Sequence, residues 1–394
     1  MLAHDAEGEA LRAAVCAQPA DDLPRHMYSD WLEENDQREQ AERIRLELQL
    51  ARCQPWDALA IQHLELARGN TRRGFVYKRR INDFAQAIRN FSGWLAENPL
   101  THLAVGTGTL EQWQELTARP GFRQIEQIEF TGLTTPIEPL RVLRDSANVP
   151  ALRSLRFTRA NSPAFSEMMR ELFAAPLGPR LHELHIRFGY RSEDEDLFEA
   201  ITDHGTPLEL RHFSYDCAFD LHSMTERDGF TRLVRRVPRL EFSRADIGSL
   251  GLELIATNRA VPLELLALRD MEINDPITSH HDYDGLRAIR WLDLRGGEFH
   301  DGRLYCPLDA VRVLQLGNNR AGTRFDSPVG TLRPHLHWLD LSAARRPELL
   351  LDGFASSHCP QLQRLTVAES ALMRLDLDGL RSRFGPGLIV EAVS

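Results

Sequence analysis

A chain of 394 residues with 42% hydrophobic and 26% charged residues has ordinary globular composition, which excludes a disordered, collagenous or membrane-embedded polypeptide. The formal net charge of −10 argues against sequence-independent binding to a polyphosphate chain. Two counts are unusual: 58 leucines, which need a structural explanation, and a single lysine, Lys78, which is attributed to GC-rich coding and carries no functional expectation.

There is no run of 18 apolar residues, so no transmembrane helix is expected, and Met1–Glu7 lacks the basic and apolar regions of a signal peptide. Cys16, Cys53, Cys217, Cys306 and Cys359 are far apart and odd in number, which favours reduced thiols over a disulfide framework. A cytoplasmic location is expected.

In chain order, residues 1–55 read as a small all-α module. Glu9 to Gln18 has Leu11, Ala14 and Val15 on one helical face; Pro24, with Asp22 as a candidate cap, opens a second helix through Met27, Trp31 and Leu32. A third runs through Ala41, Ile44, Leu48 and Ala51. This module holds 12 acids against 6 arginines. Residues 56–98 read as a helical linker and N-terminal cap, with 7 bases against 4 acids. In it, Ile81, Phe84, Ala85, Ile88, Phe91 and Leu95 predict an amphipathic helix, and Arg72-Arg73 and Lys78-Arg79-Arg80 a solvated helix-loop surface.

From residue 99 to 394 the pattern apolar-x-x-apolar-x-apolar recurs eleven times, from Leu100-Leu103-Val105 to Leu362-Leu365-Val367, at steps of 22 to 29 residues. The last two apolar residues of each copy share one face of a strand. The rest of the unit is long enough to carry the chain back, often through a helix, to the next parallel strand. Such units stack into a solenoid because one alone cannot bury its apolar face. Beyond the eleventh copy, Leu372-x-x-Leu375-x-Leu377, a short turn from Leu380 to Phe384 and Gly387-Leu388-Ile389-Val390 predict a truncated terminal unit.

These repeats resemble the leucine-rich repeat family. The resemblance implies an α/β solenoid of horseshoe form, with parallel strands on a concave face and helices or loops on a convex one. The turn asparagine of the family stands only at Asn319; copies with Gly108, Ala160, Met271 or Ser370 there must satisfy their backbone groups differently. The N-terminal segment Gln18-Pro19-Ala20-Asp21-Asp22-Leu23-Pro24-Arg25-His26-Met27-Tyr28-Ser29-Asp30-Trp31-Leu32, followed by Ala41 to Arg52, resembles the bacterial repeat-companion domain. That module accompanies leucine-rich repeats in planctomycete and myxobacterial proteins, and the resemblance implies architecture rather than chemistry.

On the concave side, the residue before each middle leucine is polar in the early repeats (His102, Gln127, Ser154, Glu183, His212, Arg239) and then becomes Leu265, Trp291, Val313 and Trp338. Strand spacing predicts Trp291 and Trp338 about 10 Å apart across Val313. Asp293, Gln315 and Asp340 stand in the next column, Arg269 and Arg295 in a third. An apolar stripe flanked by acids and arginines has the anatomy of a protein-binding hot spot; the competing reading is that the chain itself covers the tryptophans.

No catalytic signature, cofactor motif or metal-ligand spacing is present. Ser279-His280-His281-Asp282-Tyr283-Asp284 holds metal-ligand types, but adjacent loop histidines are expected to stay solvated. Ser192 to Asp196 reads as acids suited to a helix start rather than a calcium site. Cys217 reads as a buried structural thiol. The expectation is a non-enzymatic scaffold that recognises an unidentified protein or peptide partner. The alternatives are a regulatory accessory to an enzyme, of the GTPase-activator kind, and nucleic-acid binding through the 72–80 basic stretch.

Overall fold

The computed structural model describes residues 2–69, 71–106, 108–131, 137–145, 147–160, 165–189, 196–204, 208–220, 228–246, 248–257, 259–273, 284–296, 298–299, 309–316, 334–342, 344, 347, 351 and 359–393. The chain begins with helices α1 (Leu2–Ala17), α2 (Leu23–Glu34) and α3 (Arg38–Leu50). Their apolar faces meet through Val15, Leu32, Ala41, Ile44 and Leu48, joined by Phe75. Pro24 does stand in the first turn of α2, but the Asp22 side chain caps nothing. It is drawn instead to Arg52 at 3.1 Å and Arg73 at 3.2 Å.

Two short helices follow, α4 (Ala58–Gln62) and α5 (Leu64–Arg68), then a hairpin of β1 (Thr71–Arg72) and β2 (Phe75–Val76). Both turn residues, Arg73 (φ 55°) and Gly74 (φ 84°), are left-handed, as a two-residue hairpin matched to strand twist requires. At Gly74 a Cβ would also lie 2.3 Å from Ile44.

The remaining chain builds one 13-stranded sheet, an α/β architecture consistent with a solenoid. Its strands are β3 (Lys78–Ile81), β4 (His102–Val105), β5 (Gln127–Phe130), β6 (Ser154–Ala160), β7 (Glu183–Phe188), β8 (His212–Asp220), β9 (Arg239–Asp246), β10 (Leu265–Arg269), β12 (Trp291–Asp293), β14 (Val313–Gln315), β15 (Trp338–Leu341), β16 (Arg364–Ala368) and β17 (Ile389–Val393). The two-residue β11 (Glu272–Ile273) and β13 (Glu298–Phe299) pair beside it. Every sheet pairing is parallel, and the eleven middle positions align in register: Leu103, Ile128, Leu155, Leu184, Phe213, Leu240, Leu266, Leu292, Leu314, Leu339 and Leu365. One-residue slippage would turn every leucine to the wrong side, so the apolar pattern itself fixes this register.

The leucine side of the sheet packs under the connecting helices in one continuous core. In its first half the core is aromatic. Phe130 stacks on Phe157 at 5.2 Å, which meets Phe165 edge-on at 5.2 Å, and Phe198, Tyr215, Phe230 and Phe242 continue the row. Cys217 is fully buried within it. At strand entry, a carbonyl of one unit receives two amides of the next: Glu126 O takes Arg153 N at 2.8 Å and Ser154 N at 3.0 Å, and Arg312 O takes His337 N and Trp338 N. At strand exit, the Thr131 and Thr158 hydroxyls donate to the Val105 and Phe130 carbonyls. These hydroxyls add side-chain donors to backbone carbonyls at the strand ends.

Three segments depart from expectation. Lys78-Arg79-Arg80 is strand, not a helix-loop surface: β3 pairs with β4, and alternation divides its charges between two faces. Lys78 meets Glu129 at 2.6 Å, whereas the Arg79 guanidinium lies 3.9 Å over the Trp94 ring. The single apolar residue Ile81 belongs to this strand, and the amphipathic helix α6 (Phe84–Glu97) begins after it, capped by Asp83. Leu377–Phe384 is a helix rather than a turn, and it delivers β17 to the sheet as a further parallel strand. Among the described residues no helix is long and apolar enough to cross a membrane.

Candidate functional site

The sheet face away from the leucine core, its front, carries the columns of residues that flank the middle positions. In β10 to β15 the first column of this front is apolar and, apart from half-buried Trp291, buried. Leu265, Ala267, Val313 and Trp338 form a cluster of buried side chains, with Trp291 packed against it. The two tryptophans, expected about 10 Å apart by strand spacing alone, lean over fully buried Val313, and their rings meet edge-on with centroids 5.8 Å apart. The T-shaped geometry places a positive ring edge against a negative face.

The polar residues of the second column lie beneath this cluster and satisfy one another. Trp291 Nε1 donates to Gln315 at 3.2 Å, and Gln315 Nε2 donates to Asp340 at 3.0 Å. Trp338 Nε1 donates to the Thr366 hydroxyl at 3.0 Å. Asp293, 0% exposed, accepts Arg295 Nε at 2.9 Å and Nη2 at 2.8 Å, and also Arg269 Nε. Arg269 reaches on to Glu241 at 2.9 Å. A carboxylate so deep in the protein is tolerable only with such partners. In return, carboxylates raise both arginine pKa values against the effect of burial.

All nine side chains singled out in the sequence, Leu265, Trp291, Val313, Trp338, Asp293, Gln315, Asp340, Arg269 and Arg295, thus fall in one place. They are not an open surface, however. The segment 54–64 of the same chain lies on the apolar members: Trp56, Ile61 and Leu64 complete their cluster, while the Arg269 and Arg295 side chains keep 31% and 37% of their surface. Trp338 keeps 2% of its surface and Leu265 8%. Ion pairs and hydrogen bonds pin the segment at three points. Arg312 Nη1 donates to Asp57 at 2.8 Å, Arg239 Nη2 donates to Gln54 at 2.6 Å, and Arg364 Nη1 donates to the Ile61 carbonyl at 3.1 Å near the end of α4. The Arg239 guanidinium also lies 4.9 Å from the Trp56 ring centroid, within cation–π range.

Sequence inspection missed this occupant together with Arg312, Thr366 and Arg364, which Glu391 holds at 2.7 Å. The available signal was Trp56, Ala60, Ile61 and Leu64, a helical apolar face with no assigned partner next to a helical module.

The first half of the front, β3 to β9, keeps the polar column and is charged. His212 Nε2 pairs with Glu241 at 2.8 Å, and its ring meets that of His185 edge-on at 4.6 Å. Burial, then the positive charges of Arg72, Arg156 and Lys78, push His102 down to about 3, so this ring is neutral at ordinary pH. Glu183 is held well below the usual carboxylate range by His185 beside it. Among the described residues no group of three or more histidines, cysteines or carboxylates could hold a metal ion. The motif at 279–283, the acids at 192–195, Asn319 and Cys306 lie outside the described residues. Comparison with known proteins finds no family model that matches this chain and no curated protein with significant similarity to it.

Proposed function

We propose that this chain is a non-enzymatic interaction protein. In this reading the sheet is the concave face of a leucine-rich repeat horseshoe, preceded by a repeat-companion-like helical module, and it receives a protein or peptide segment. One observation carries the reading: the apolar half of the front already holds a short segment in the manner of a peptide in a groove. Aromatic and aliphatic anchors enter a dry cluster while charged side chains hold the segment's polar groups. On this view residues 54–64 are the built-in occupant, and a partner with the same chemistry competes with them. Four described cysteines are free thiols, which suits a reducing cytoplasm.

An arginine-supplying accessory role gains no support from this face. Arg239, Arg244, Arg269, Arg295, Arg312 and Arg364 are each held by a carboxylate. Of the basic run at 72–80, Arg79 turns to the Trp94 ring, and Arg72, Arg73 and Lys78 each have a carboxylate within 4.0 Å, which gives no support to a nucleic-acid surface.

Opening the groove tests the proposal. A Trp56→Ala/Ile61→Ala variant is expected to bind a labelled peptide of residues 52–68 saturably. Wild type should bind it at least about tenfold more weakly, because its own segment competes at high effective concentration. Adding Trp291→Ala should abolish binding of the peptide and of any partner the opened variant captures. If the opened variant, folded by circular dichroism, binds the peptide no better than wild type, the groove reading is wrong. Partner capture that ignores Trp291→Ala would equally remove it.

A further inference from the structure

A second feature of the front lies apart from the apolar cluster, where the end of α3, Leu66 and the hairpin residues Thr71, Arg72 and Arg73 face strands β3 to β7. They enclose a crevice of about 350 Å³. Its lining carries four cations, Arg72, Arg73, Lys78 and Arg156, against two carboxylates, Glu47 and Glu183.

Two of these charges are already spent within the protein. Glu47 accepts the Arg43 guanidinium at 3.0 Å, the Thr71 hydroxyl at 2.9 Å and the Gly74 amide at 2.7 Å. Arg73 is held by Asp22 at 3.2 Å and donates to the Ala20 carbonyl at 3.0 Å. Three cations then remain on the crevice side. Lys78 has a close partner in Glu129 at 2.6 Å. The other two are loosely paired: Arg72 stands 4.0 Å from Glu126 and Arg156 3.6 Å from Glu183. Both distances exceed the 2.7–2.9 Å typical of a charge-assisted hydrogen bond.

Arg156 Nε is moreover buried without a hydrogen-bond partner, a costly condition for a charged donor. Leu50, Ala51, Leu66 and Tyr77 add apolar surface to the same lining. His102, which meets the Tyr77 ring edge-on at 4.7 Å and whose Nδ1 lies 2.8 Å from the Thr101 hydroxyl, lends polarity without charge. Two loosely paired arginines, one with an unpartnered Nε, beside apolar side chains in a space of small-molecule size match an anionic group on a compact apolar body.

We propose that this crevice binds a small organic anion, a phosphate monoester or a dicarboxylate, whose anionic oxygens close the ring formed by Arg72, Lys78 and Arg156. The body of the ligand lies against Leu50, Leu66 and Tyr77. The cations of this site take no part in the peptide groove, and Trp291→Ala, outside the crevice, should bind the anion as wild type does.

Calorimetric titration of the full chain with phenyl phosphate, phthalate and, as a neutral control, phenol provides the test. At least one anion should saturate a single site, and phenol should not bind. Preference between the two anions identifies the head group. Arg156→Gln and Arg72→Gln should each weaken binding tenfold or more. Arg72 is in a hairpin and half-exposed, so its variant serves even if Arg156→Gln fails to fold. If neither anion saturates, or if the folded variants bind as wild type does, the proposal is overturned.

Discussion

The two halves of the sheet front share one parallel register and the same columns, and they have opposite characters. From β10 to β15 the first column is Leu265, Trp291, Val313, Trp338, sealed by Trp56, Ile61 and Leu64, and at β16 it becomes Arg364. From β4 to β9 the same column is His102, Gln127, Ser154, Glu183, His212, Arg239, of which Glu183, His212 and Arg239 enter ion pairs. Backbone geometry therefore supplies positions but not properties. Burial follows from which side chains can exclude water together: three anchors on a short segment suffice where the floor is apolar and its buried carboxylate is already paired. Where the floor is ionic, the same approach would strip water from charges without repayment.

The largest test of this contrast is Trp338→Ala. A side chain 2% exposed in a packed cluster should cost about 3–5 kcal/mol in urea unfolding. A loss below about 1 kcal/mol would show that the apolar half is not a close-packed interior.

The charged half is expected to respond to pH instead. His102 sits near 3 when folded, because of burial and then the nearby cations, and near 6.5 when unfolded. Between those values the unfolded chain takes up a proton that the folded chain refuses. Stability therefore declines as pH falls below 6.5, by up to about 1.4 kcal/mol per unit. Burial pushes His185 the same way and adds a parallel slope. Glu183, lowered when folded, contributes to the loss only further down, below its unfolded value near 4.5. Unfolding of His102→Gln at pH 6.5 and 4.8 should therefore lose on the order of 1–2 kcal/mol less than wild type over that interval. An unchanged slope would mean that the His102 ring is hydrated.

The smallest effect belongs to the rim. Arg187 is 63% exposed and pairs with Asp216 at 3.1 Å, while Arg244 also holds Asp216. Arg187→Ala should change stability by less than about 0.5 kcal/mol. A larger loss would place the dry interior further toward β7 than the cluster reaches.

The leucine period made the eleven repeat strands legible, because each unit must show the sheet the same two apolar residues. The terminal strands were less so. In β3, Lys78-Arg79-Arg80-Ile81 offers one apolar residue, since Arg79 covers the Trp94 ring with a guanidinium where the repeats place leucine. Strand β17 has an edge on only one neighbour, so its own pattern is weak. In the candidate site, strand alternation assigned the residues to a common face correctly, and their accessibility was beyond it. Asp57 and Arg312 are 255 residues apart, and Ile61 and Arg364 303 apart. No local spacing records a meeting at that distance.

What the sequence determined by itself is therefore the repeat and its register: an apolar residue that must face inward admits one alignment of each strand with the next. What only the tertiary structure decided is which half of the front stays accessible. Trp56, Ile61 and Leu64 are an ordinary helical stripe in the sequence, and Trp291 and Trp338 an ordinary exposed pair. The chain brings them together because each hides apolar surface that the other leaves in water.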